Sequence, residues 1–152
     1  EAREKRYENL EKFPELKDRT ELERKEEGEK LYVKSKLNLA SKVPGAIRKV
    51  MKGDTLEIVD DSEYDHSTGV HNFKYSSDKM KFLKCKGMSK YEEFEEGGEK
   101  KTKRHLELEV KIDVPVVGKM AEQFVMDAIK KNLDKDTASI EKMIQMMKKG
   151  ES

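Results

Sequence analysis

Leu106-Glu107-Leu108-Glu109-Val110-Lys111-Ile112-Asp113-Val114-Pro115 decides the fold. Five apolar residues alternate with charged ones, a period of two that only a strand can turn into one buried face and one wet face. The alternation predicts a central antiparallel strand with Leu106, Leu108, Val110, Ile112 and Val114 inward. Pro115 stops the strand and suits the first turn of a helix.

Downstream the period becomes helical, over residues 116–149. Val117, Met120, Ala121, Phe124 and Ala128 form one apolar stripe. At about 100° per residue, Leu133, Ile140, Met143, Ile144 and Met147 fall on a stripe turned by roughly another 100°. Asp134-Lys135-Asp136-Thr137 lies between the stripes and predicts a bend or a new cap there. On this reading the first half of the helix closes the sheet. The second half is a looser lid or a docking face for another chain, and five of the chain's eight methionines lie in the helix as adaptable filling.

Upstream of Leu106 the sequence reads as hairpins. Phe82 to Phe94 is a long strand, bulged at Gly87, and Gly97-Gly98 turns it into the deciding strand. His71, Phe73 and Tyr75 share one face of a strand, after Leu56, Ile58 and Tyr64 on its partner. Leu31, Val33, Leu37 and Leu39 alternate in an earlier strand, preceded by a polar edge strand from Leu22 to Glu27. A short helix with Ile47, Val50 and Met51 interrupts them and is expected to end at Gly53. A helix over residues 1–12 should stop before Pro14, which disfavours helical backbone at Phe13. Successive hairpins without βαβ alternation give an α+β domain: a curved antiparallel sheet wrapped around a long C-terminal helix.

The 152 residues fit one domain, 1–152, although only 34% are hydrophobic and 43% are charged. Average chains have roughly 45–50% and 25%, so the core is thin, and it is the periodicity that argues against disorder. Lysine and arginine total 33 against 32 acidic residues, interspersed in sign, which excludes the segregated basic face of a nucleic-acid binder. No apolar run reaches the length of about 18 residues needed to span a bilayer. A single cysteine, Cys85, excludes an internal disulfide and fits a reducing, cytoplasmic setting. The chain opens at Glu1 with no methionine and no secretory leader, as expected of a processed or shortened product.

Catalytic chemistry is not legible. His66, His71 and His105 have no metal-ligand spacing among them. Lys84 and Lys86 flank Cys85, but neighbouring strand residues point to the opposite face, so their charge does not activate the thiol. Gly97-Gly98 sits in a hairpin, not between a strand and a helix, so it is no phosphate loop. Asp60-Asp61-Ser62-Glu63 lacks the glycine and ligand spacing of a calcium loop. The expectation is no catalytic residue, no metal and no cofactor.

Three segments carry a resemblance: Phe13-Pro14-Glu15-Leu16, Val43-Pro44-Gly45-Ala46-Ile47-Arg48-Lys49-Val50 and Val114-Pro115-Val116-Val117-Gly118-Lys119-Met120-Ala121-Glu122. With the order of elements, they make the chain resemble the START/Bet v 1-like (SRPBCC) superfamily and its helix-grip fold. The last two resemble an uncharacterised bacterial branch of it, and the middle one is also similar to PRELI-type lipid-transfer domains. The resemblance implies a cavity between sheet and long helix that takes lipids or other apolar molecules. It also implies a first strand before the opening helix; this chain starts within that helix, so either the strand lies upstream or the sheet has an open edge.

The leading expectation is therefore an apolar-ligand or lipid-binding module without catalysis, its pocket lined by Leu37, Leu39, Ile58, Phe73, Leu108, Val110, Met120 and Phe124. The alternative is a protein-interaction or regulatory module that docks a partner, or a second copy as a homodimer, on the C-terminal helix.

Overall fold

The computed structural model describes residues 1–14, 16, 19–40, 42–52 and 54–150. Glu15 of the first resemblance segment and Gly53, the expected helix stop, lie outside them. A short helix α1 (Ala2–Lys5) and a 3-10 turn (Arg6–Glu8) open the chain. The strands are β1 (Arg19–Glu27), β2 (Lys30–Ala40), β3 (Leu56–Asp65), β4 (Val70–Ser76), β5 (Leu83–Glu96) and β6 (Glu99–Ile112). A 3-10 turn (Gly45–Ile47) and α2 (Arg48–Met51) separate β2 from β3, and α3 (Gly118–Lys148) ends the fold. The expected α+β arrangement is the one observed: a six-stranded antiparallel sheet in chain order, β1 to β6, with the long helix after it.

Chain order puts β6 at an edge of the sheet, not at its centre as its alternation suggests. The pattern reports which face is buried, and an edge strand can bury one face as well as a central strand. Burial along β6 is graded. Ile112 is buried, Leu108 and Val110 are half-buried, and Leu106 is 41% exposed. Beyond the end of β4 the β5–β6 hairpin continues as an exposed ribbon, where Phe94 faces solvent.

Strand register sorts the inner face into two ends. At one end Leu37, Ile58, Tyr75, Cys85, Leu83 and Ile112 are buried, packed against Ala121, Val125 and Ile129 of α3. At the other end the aligned row is Leu31, Tyr64, His71, Ser89 and Leu106. Between the two ends Phe73 lies opposite Gly87, with its ring in the space that a Cβ at residue 87 would need. The β4–β5 and β5–β6 registers run through Gly87 without a shift, so this glycine makes room for a ring instead of forming the expected bulge.

Helix α3 runs unbroken through Asp134–Thr137. Its buried positions Ala121, Val125, Ile129, Leu133, Ser139, Met143 and Met146 recur at three- and four-residue steps once half-buried Asp136 is counted between Leu133 and Ser139. At about 100° per residue these occupy one continuous face. The two stripes read from the sequence are thus one seam whose middle is polar. Val125 and Ile129 form its centre, with Phe124 and Ala128 on its flank. Met143 and Met146 pack on Phe13 and Leu16, with Ala2, Tyr7 and Met147 around them. The chain's own N-terminal segment therefore covers the face that the sequence assigned to a lid or a second copy.

Candidate functional site

The polar end of the inner face collects charged groups from three parts of the chain. Residues 136 and 139 of α3 continue the buried seam, so Asp136 and Ser139 point at the sheet. From the N-terminal segment comes Arg6, which is fully buried. Its Nη1 lies 2.8 Å from Asp136 Oδ1, and it also donates to the Ser139 hydroxyl. Its Nε donates to the Arg3 carbonyl at 3.0 Å. Arg104 of β6 approaches Asp136 Oδ2 at 3.5 Å, donates to Ser89 at 3.2 Å and lies over the Tyr91 ring. Nearby, Arg19 pairs with buried Asp60 at 3.3 Å, while Ser62 donates to the other Asp60 oxygen at 2.6 Å.

Protonation follows from these contacts. Burial opposes ionisation of Asp136, but the combined field of Arg6, Arg3 and Arg104 overcomes it and holds the carboxyl below its usual range. At Asp60 burial wins over Arg19 and Ser62, and its carboxyl is raised. His71 is pushed down to about 2, first by burial and then by the fields of Arg3 and Arg104, so its imidazole is neutral at any working pH.

Several donors in this cluster have nothing to bind. His71 is 3% exposed, and neither ring nitrogen has a hydrogen-bond partner among the described residues. Arg3 Nε, Arg6 Nη2 and the Tyr91 hydroxyl are buried and unpartnered in the same sense. An unmet buried polar group costs about 1–3 kcal/mol, and such groups gathered in one place call for an explanation. Two of them, Arg3 and His71, line a pocket of about 20 Å³ together with Glu4, Tyr7, Arg19 and Arg24, among others.

A family model described as "Protein of unknown function (DUF2505)" matches residues 1–144. The chain belongs to the DUF2505 family. No curated protein matches it. Among solved structures, the crystal structure of TTHA0849 from Thermus thermophilus has the same fold. The TM-score is 0.54 at 17% identity, over 96% of this chain and 89% of that one.

In this DUF2505 chain the eight residues expected to line an apolar pocket are divided among the core, its margin and the surface. Leu37, Ile58 and Phe73 are buried in the main core, and Leu39, Leu108, Val110 and Phe124 pack around it. Met120 is 54% exposed, because residues 121 and 125, not 120, face the sheet. Phe73 and Leu108 do border a hollow of about 790 Å³, but it lies on the opposite face, among Lys34, Asp61, Glu63, Lys74, Lys86 and Glu109. The mixed charges there include the Lys86–Glu109 pair at 3.6 Å and make a solvated basin, unsuited to an apolar molecule.

Burial pushes the Cys85 thiol up to about 12, in keeping with a packed cysteine. Among the described residues no three His, Cys, Asp or Glu side chains gather as a metal site, and no helix is long and apolar enough to cross a membrane. Sequence reasoning placed His71 on a strand face but passed over Arg3, Arg6, Arg104 and Asp136. One signal was available: arginine is rare here, six residues among 33 basic ones, and five of the six (Arg3, Arg6, Arg19, Arg24 and Arg104) surround this cluster.

Proposed function

We propose that this protein is a non-catalytic binding module that takes a small, largely apolar molecule between the inner face of the sheet and α3. The observation that carries the reading is the set of unpartnered donors, with His71 at its centre, at the end of an otherwise apolar seam. Ligand sites typically pair apolar walls with a few polar groups that fix orientation. The resemblance to the START/Bet v 1-like superfamily supports the same reading, since that fold commonly encloses apolar molecules in this space.

A ligand enters this space by displacing a wall. The N-terminal segment is the wall best suited to move: α1 has four residues, too few to persist without tertiary contacts. It is held by the Arg6–Asp136 pair and by Arg24–Glu4 at 2.9 Å. Moving it outward would open the 20 Å³ pocket towards the apolar core. Native mass spectrometry of protein purified from its own host tests the reading. A retained apolar molecule adds a discrete mass that organic solvent removes; a bare chain mass in every preparation counts against it.

A further inference from the structure

We propose that the unpartnered cluster is an oxyanion seat: the bound molecule presents a terminal carboxylate or phosphate to Arg3 and His71. This rests on the binding reading above and adds the chemistry of the ligand's end.

The charges facing the polar end of the sheet do not balance. Four guanidinium groups gather there, those of Arg3, Arg6, Arg19 and Arg104. They meet two carboxylates, buried Asp60 and half-buried Asp136; Asp136 is taken by Arg6 and Arg104 while Asp60 is taken by Arg19. Glu4, on the pocket wall, is engaged by Arg24 at 2.9 Å. Arg3 is left with no carboxylate within ion-pair distance among the described residues, and its Nε is buried. Its main compensating charge is Asp136, which Arg6 and Arg104 already engage, and its buried Nε still lacks an acceptor, an unmet need that costs about 1–3 kcal/mol. Arginine's planar fork is also the group best matched to a two-oxygen anion.

His71 adds a second, independent requirement. Its ring is held beneath the sheet beside Phe73, with centroids 5.3 Å apart, and it lines the same pocket as Arg3. Being neutral, it offers one N–H and no positive charge, so it can complete an anion's hydrogen bonds without adding to the repulsion among the arginines. The pocket's 20 Å³ admits one oxygen atom or one water, the lower limit for occupancy being about 10–15 Å³. An oxyanion of several atoms can thus lead with one oxygen while the wall formed by Arg3, Glu4 and Tyr7 draws back for the rest.

Four probes separate the possibilities: decanoate, decyl phosphate, decanol and inorganic phosphate, titrated into the intact chain by calorimetry. The expected result is that decanoate or decyl phosphate binds at least about tenfold more tightly than decanol, the scale set by one charge-assisted hydrogen bond. Whichever of the two binds more tightly identifies the headgroup. Arg3→Gln should reduce that preference to within about threefold. In wild-type protein, the ¹⁵N signals of the His71 ring should shift with the preferred anion and not with decanol.

Equal affinity for decanoate, decyl phosphate and decanol overturns the oxyanion seat and leaves the binding module intact. Binding of inorganic phosphate alone keeps the seat and removes the apolar molecule from the proposed function. No response to any of the four overturns both, and the pocket then holds a structural water. The wild-type comparisons decide the matter even if the variant fails to fold.

Discussion

Arg6 Nη1 and Asp136 Oδ1 stand 2.8 Å apart although 130 residues of chain separate them. The pair fastens the N-terminal segment to the middle of α3, and Arg6 is fully buried. Asp136→Ala strands that guanidinium without a counter-charge and should cost about 3–5 kcal/mol, the scale for breaking one side of a buried ion pair. Urea midpoints of the two proteins at pH 7 measure it.

The same pair gives a pH dependence whose sign follows from the direction of the shift. The folded state holds Asp136 below its unfolded value, so its contribution is full above about pH 5 and fades as pH falls through the unfolded value near 4 and then the folded one. Asp60, raised by burial, acts in the opposite direction over the same range. Wild-type stability therefore mixes the two. The difference between wild type and Asp136→Asn isolates one: it should stay flat from pH 7 to about 5 and shrink below about 4. A difference that grows on acidification would refute the assignment.

Gly87→Ala places a methyl group where the Phe73 ring lies. Overpacking of this kind should cost about 1–3 kcal/mol. Gly45→Ala is the control, since a Cβ there meets nothing within 4 Å. Matching thermal midpoints for the two variants would show that the ring is free to step aside.

Removal of residues 136–150 should abolish cooperative unfolding. It takes away Asp136 and Ser139, and it uncovers Phe13 and Leu16 by deleting Met143 and Met146. Near-ultraviolet circular dichroism and calorimetry test this. A sharp transition near the wild-type midpoint would restore the looser, lid-like second half.

Val116 has a positive φ of 70° and is fully exposed between β6 and α3. A β-branched residue is strained in that region. Val116→Gly should stabilise the protein by on the order of 1 kcal/mol, read as a raised melting temperature.

What the sequence disclosed divides along the polar boundary inside the fold. Alternation at Leu108–Ile112 and at Phe73 and Tyr75 revealed strands and faces, because there burial and hydrophobicity run together. It did not reveal that β6 is an edge strand, which depends on pairing and not on composition. In α3 the seam passes through Asp136 and Ser139. A search for apolar residues alone broke there and settled on Met120 instead of Val125. Arg6 and Arg104 were illegible for the same reason. A buried charge looks like a surface charge until its partner, far along the chain, is known.

The Arg6–Asp136 fastening also constrains the order of events on the ribosome. The segment around Arg6 emerges well before its anchors at Asp136, Met143 and Met146, the first of which lies 130 residues further along the chain. Throughout elongation Phe13, Leu16 and a cationic arginine wait in the nascent chain without their partners. Contacts of such sequence separation form late and slowly. Docking of this earlier-made segment is then a late step in the folding of the domain, and until it occurs the polar end of the sheet stands open to whatever molecule is present.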